Sequence, residues 1–238
     1  MSAPLSDPAF DAKHDSLDKD SPDAIRLSLG DWTAARHLLM EPLMAPHQAQ
    51  LCDAISRTLM VFRPYSNDSI EILAHMYALA AQACSDLDAA WHCLGGCFVR
   101  TAHAALRSAL EATLTAVTFA DPDDGLAHVA DYVADRVRVS GVVRRFEVTA
   151  PKLRIPQTEV DFIRDYLADW LHPLTHPAAR SINITIIPLP RGVAIGNYFD
   201  DSRANSYTAA ASNIANIARR VRVLFESAVP AAYLQHRP

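Results

Sequence analysis

The segment Ser85–Phe119 constrains this chain most, because it is apolar on nearly every side and still carries one polar stripe. Arg100, His103, Arg107 and Glu111 recur three or four residues apart, which sets them on one face of a helix. Phe98, Val99, Leu106, Leu110, Leu114, Val117 and Phe119 cover the remainder. A helix hydrophobic on almost all sides belongs inside a bundle, so the stripe is expected to face other helices. Charges in such a place need partners, since an isolated buried charge is strongly disfavoured. Arg107 and Glu111, one helical turn apart, form the natural pair. In a buried setting, losing one partner of such a pair costs about 3–5 kcal/mol. The same residues also suit a binding site, with the planar fork of Arg107 and that of Arg100 holding phosphate and Glu111 orienting it. His103 would then be a general acid or base, its ordinary pKa lying near neutrality, although a satisfied core histidine fits the position as well.

At 238 residues, half of them hydrophobic and 21% charged, the chain can bury a large core without a metal or disulfide staple. Of its 22 basic residues only Lys13, Lys19 and Lys152 are lysines, and the net charge of −5 weighs against non-specific coating of nucleic acid. No basic stretch followed by an apolar one opens the chain, and no run of about 18 apolar residues occurs, so neither a secretory signal nor a membrane span is expected. Cys52, Cys84, Cys93 and Cys97 are too few for a disulfide framework. The expected location is cytoplasmic.

Residues 1–28 are acidic and proline-punctuated and read as a solvated tail, with a partner-binding or self-masking segment as the alternative. Residues 29–238 read as a single helical domain. Asp31 suits the cap of a first helix ending near Pro42 and Pro46, and a second helix spans about Gln48 to Phe62. Asp68 with Glu71 resembles a capping box for a third helix running to about Cys84, and Ser85 suits the start of the stripe-bearing helix. Gly95-Gly96 marks either a break in that helix or a close backbone approach. A turn at Asp121–Gly125 leads into a helix from about Leu126 to Val148, and a further helix runs from Thr158 to Trp170. The β-branched alternation around Ser181–Ile187, the Pro188–Gly192 turn and the strand-like Val193–Tyr198 predict one small β-hairpin near 181–198. A last helix covers about Ser202 to Val229. The fold class is therefore all-α, a multi-helix bundle with one hairpin insertion.

Arg136, Arg138, Arg144, Arg145, Lys152 and Arg154 crowd positive charge into one stretch, either a solvated helix face or a patch for RNA or an acidic partner. Only Phe146 interrupts it, so base stacking is not supported. His172 and His176 are four apart, but Pro173 and Pro177 oppose a helical metal site. Cys93 and Cys97 flank the glycine pair and fit buried thiols better than zinc ligands. No metal or cofactor is expected. No Walker loop, G-x-S-x-G elbow, G-x-G-x-x-G fingerprint or H-E-x-x-H motif occurs, which removes most well-marked enzyme classes.

The run Phe98-Val99-Arg100 to Leu106-Arg107-Ser108-Ala109-Leu110-Glu111 resembles the "R-s-l-x-E" helix of bacterial helical families related to HEPN domains. Tyr166 to His176 is similar to the "y…ls…H-G" region of those families. The resemblance implies a helical bundle, often dimeric, serving toxin–antitoxin, stress or phage-defence systems. It places His176 at the site as acid/base, with Arg107 and Glu111 on the facing helix. Many relatives of this kind are metal-independent ribonucleases with Arg and His four to six residues apart on one late helix. No arginine here is followed by histidine at that spacing, and Pro177 stands where glycine follows the histidine. Two functions thus remain open. One is a non-catalytic interaction or dimerisation module whose partner is a second copy or another protein. The other is a metal-independent ribonuclease or RNA-binding protein. No membrane partner is expected.

Overall fold

The computed structural model describes residues 22–66, 68, 70–137, 139–167, 186–189, 192–195 and 203–237. Among these, the elements are α1 (Pro22–Met60), a 3₁₀ turn (Arg63–Tyr65), α2 (Glu71–Gly95), α3 (Val99–Thr118), α4 (Gly125–Val133), α5 (Val139–Lys152), α6 (Gln157–Asp165), β1 (Ile186–Leu189), β2 (Gly192–Ile195) and α7 (Ala204–His236). The architecture is an all-α bundle. Its one described pair of strands, β1 and β2, is antiparallel, with Ile186 opposite Ile195 and Leu189 opposite Gly192. Among the described residues, no helix is long and apolar enough to cross a membrane.

The centre of the bundle is α2 folded back on α3. Ser108 meets Asp86, and Leu79 faces the same cleft as Thr115, so the two helices run antiparallel. On the other side, Gly95 lies against His37, the Cys84 thiol reaches the Ile55 carbonyl, and Phe62 meets Tyr77, so α1 is antiparallel to α2 as well. The contacts Asp53–Arg222, Phe62–Phe225 and Tyr65–Tyr233 advance together, so α7 runs parallel to α1. Residues 112–120 are buried without a break, which makes the second half of α3 the heart of the core. Three threonines sit there at no cost in unpaired hydroxyls. Thr113, Thr115 and Thr118 donate to the carbonyls of Ala109, Glu111 and Thr115 at 2.8, 2.8 and 2.7 Å.

The segment expected as one helix from Ser85 to Phe119 is divided. α2 continues through Ser85, whose neighbours Asp86 and Asp88 contact Ser108 and His92 and cap nothing. The break falls at Gly96 and Cys97. The Phe98 amide donates to the Cys93 carbonyl at 2.7 Å and the Cys97 amide to Leu94 at 2.8 Å, a Schellman closure with Cys97 at φ 61°. Phe98 turns back over Gly96, where a Cβ would lie 2.7 Å from its ring.

The same closure ends two further helices. At α4 the amides of Asp135 and Arg136 donate to Tyr132 and Asp131, and Asp135 has φ 53°. At α5 those of Arg154 and Ile155 donate to Pro151 and Ala150, and Arg154 has φ 58°. The helix expected over 126–148 is therefore two helices, stopped at residue 134 without glycine.

The capping box expected at Asp68 is absent: Ile70 is the N-cap of α2 and makes no side-chain cap bond. Pro42 and Pro46 do not end a helix; both lie inside α1. They are four apart on the exposed face, so the carbonyls that lose a donor, those of Leu38 and Pro42, also lie there within reach of water. The opposite face, with Met40, Met44 and Leu51 buried, holds the helix on the bundle. Asp31 is likewise within α1, which begins at Pro22.

A non-glycine residue in the left-handed region carries about 1–2 kcal/mol of strain. Arg154 is exposed, so Arg154→Gly relieves that strain without removing a packed side chain. After the entropy that glycine adds to the unfolded chain, the variant is predicted to gain about 0.5–1 kcal/mol. Urea denaturation checks this as a raised midpoint at unchanged slope, with Arg154→Ala within about 0.5 kcal/mol of wild type.

Candidate functional site

The stripe lies along the first half of α3, at the rim of the bundle. Arg100 is exposed, His103 is half-buried, and the Arg107 and Glu111 side chains keep 23% and 26% of their surface. The sequence expectation of enclosure between helices is corrected here. Among the described residues, the hydrogen bonds tying α5 and α7 to α3 lie at its far end, where Thr149 and Lys152 reach Asp121 and Gln235 reaches the Ala120 carbonyl. Within the stripe, Arg107 Nε donates to Glu111 Oε1 at 2.6 Å, and His103 Nδ1 lies 2.7 Å from the Val99 carbonyl oxygen. Ser108, beside Arg107, donates to Asp86 of α2 at 2.7 Å.

A cleft of about 340 Å³ between α2, α3 and the α4–α5 turn reaches this stripe. Gln82, Ser108, Glu111, Tyr132 and Asp135 supply its polar lining. Among the described residues, neither Arg100 nor Arg107 lines it, and its charged groups are the carboxylates of Glu111 and Asp135. A phosphate entering this cleft would meet negative charge, the reverse of what a polyanion requires. His172 and His176, the latter the expected acid/base, lie outside the described residues.

Three residues of the basic stretch, Arg136, Arg145 and Lys152, are paired with carboxylates. Asp131 of α4 accepts from Arg136 at 2.9 and 3.1 Å and from Arg145 at 2.6 Å, and these hydrogen bonds hold its pKa below the ordinary carboxylate value. Lys152 Nζ donates to Asp121 at 2.8 and 3.0 Å and pairs with Asp123 at 2.9 Å. Arg144 and Arg154 are exposed, and Arg138 lies outside the described residues. The signal that located these partners was present in the sequence, as Asp121, Asp123, Asp124 and Asp131 just upstream of the arginines.

Two further arginines have partners remote in sequence, although Arg222 also lies 3.4 Å from Glu226 one turn on. Arg220 of α7 binds Glu159 of α6, and its guanidinium stacks 3.6 Å over the Phe162 ring. Arg222 binds Asp53 of α1 at 3.2 Å. These pairs tie α7 to its neighbours. Two of the thiols are quiet: Cys84 is buried, which pushes its pKa up to about 11, and burial raises that of Cys93 as well. Among the described residues no group of three or more His, Cys, Asp or Glu is placed to hold a metal ion. This chain matches no protein-family model, no curated protein and no solved structure.

Asp121 is the most deeply buried of the carboxylates that offset the basic stretch. Burial alone would raise its pKa, but hydrogen bonds from Lys152, the Asp123 amide, Thr149 and the Asp124 amide prevail and hold it at about 2. A folded-state pKa below the unfolded value of 3.8 means that the stabilisation is fully present above that value and fades as pH falls through it toward about 2. Asp121→Asn is predicted to lose about 2–3 kcal/mol at pH 7 and to be less sensitive than wild type to acid below about pH 4. Thermal melts of both proteins across pH 2–7 check it.

Proposed function

We propose that this chain is a non-catalytic interaction module that pairs with a second copy or with another protein. The observation that carries this reading is the α3 stripe. Arg107 is engaged by Glu111, Ser108 by Asp86, and the cleft that reaches them presents carboxylates. A phosphodiester cleaving site needs cations toward the substrate and a proton carrier beside them. The surface of α4 supports the same reading. Leu126 and Val133, seven residues apart and so on one face, are 65% and 64% exposed, while only Gly125 and Val129 of that helix are buried. A short helix that exposes two large apolar side chains on one face is a natural contact face. The resemblance of residues 98–111 and 166–176 to HEPN-related families suggests a bacterial stress or defence system as its setting.

A metal-independent ribonuclease is the second reading, favoured by one observation: Arg100, His103 and Arg107 share the solvent-reached edge of α3.

Wild type and Arg107→Ala, incubated with bulk RNA in EDTA, are predicted to leave it intact. The Arg107–Glu111 pair is partly exposed, so the variant should lose only about 0.5–1 kcal/mol. Sedimentation should show a species heavier than the 26.1 kDa monomer, alone or with a protein partner, that Leu126→Asp with Val133→Asp disrupts. RNA cut by wild type and spared by an Arg107→Ala variant of near-normal melting would establish the ribonuclease instead.

A further inference from the structure

The cavity at the turn between α1 and α2 has a volume of about 640 Å³ and shares no residue with the α3 stripe or the α4 face. Small-molecule sites typically enclose about 300–1,000 Å³ with apolar walls and a few polar groups, and this cavity has both properties. Three aromatic rings line it, those of Phe62, Tyr65 and Tyr77. Phe62 and Tyr77 meet at 79° with centroids 5.4 Å apart, which makes two walls of an aromatic corner. Leu73 is buried behind them.

The charged groups decide what such a corner accepts. Among the described residues, Asp68 and Glu71 line the cavity together with Arg63, so carboxylates outnumber cations there. Neither carboxylate is paired with Arg or Lys among the described residues. Asp68 accepts from the Tyr233 hydroxyl, and Glu71 has only His75, at 3.7 Å, as an ionic partner. Aromatic faces attract cations through the ring quadrupole, by about 0.5–2 kcal/mol per ring depending on desolvation. The net charge of −5 on the whole chain steers a cation in the same direction.

We infer that this cavity binds a hydrophobic organic cation, an aromatic or quaternary amine, with its apolar body against Phe62, Leu73 and Tyr77 and its charge toward Asp68 and Glu71. Arg63 is the opposing charge and sets a limit on affinity.

Isothermal titration of the full chain with tetraphenylphosphonium and with tetraphenylborate tests this, since the two ions share a shape and differ in sign. The cation is expected to bind at least tenfold more tightly than the anion. Glu71→Gln should weaken it severalfold, and Arg63→Gln should strengthen it. Ala74 lines the cavity and is exposed, so Ala74→Trp fills the space without disturbing buried packing and should abolish binding at an unchanged melting temperature. Equal or tighter binding of the borate, binding of neither ion, or full affinity in a folded Ala74→Trp variant would overturn the assignment.

Discussion

Folding α2 back on α3 at Gly96 and Cys97 fixes what every other helix can do. The closure needs a residue without a side chain at 96, where Phe98 turns back, and a left-handed residue at 97. Once it forms, α1 seats on Gly95, Cys84 and Tyr77 along one flank of α2. α7 then packs beside α1, bringing Ile214, Val221, Leu224 and Phe225 into the core. α5 is secured to the far end of α3 through Asp121, whose carboxylate gathers donors from Asp123, Asp124, Thr149 and Lys152. A buried carboxylate is tolerable only with such a set of partners, and its position at the turn after α3 joins that turn to α5.

The polar groups of the fold follow one pattern. Several of the positive charges along the chain are met by carboxylates: Arg107 by Glu111, Arg136 and Arg145 by Asp131, Lys152 by Asp121 and Asp123, Arg220 by Glu159 and Arg222 by Asp53. The exposed pairs among them contribute little to stability individually, about 0–1 kcal/mol each. Their larger consequence is electrostatic, because they remove cationic surface that a nucleic acid would use. What remains distinctive at the surface is apolar: the outer face of α4 and the aromatic cavity below the end of α1.

The core helix was legible in sequence because hydrophobic periodicity is a local property. Leu106, Leu110, Leu114, Val117 and Phe119 announce the buried face of α3, whereas Gly95-Gly96 left a break and a close backbone approach equally open. The ends of α4 and α5 were not legible, since Asp135 and Arg154 adopt the left-handed conformation that glycine usually signals. Nor was the continuity of α1, because Pro42 and Pro46 read as terminators until their placement on an exposed face is known. Spacing put the four stripe residues on one face correctly. Whether that face is enclosed depends on where α5 and α7 cross α3, and those crossings are set by pairs such as Thr149–Asp121 and Gln235–Ala120 that lie far apart in the chain.

α3 is core in its second half and rim in its first. Native-state hydrogen exchange of the intact chain tests it most directly. Amides of Thr113–Val117 should exchange only through global unfolding, with the same free energy as the buried stretch of α7 around Ile217–Phe225. Amides of His103–Arg107 should open at distinctly lower free energy. Early exchange at Thr113–Val117, with His103–Arg107 the last to open, would contradict it and place the polar stripe inside the bundle.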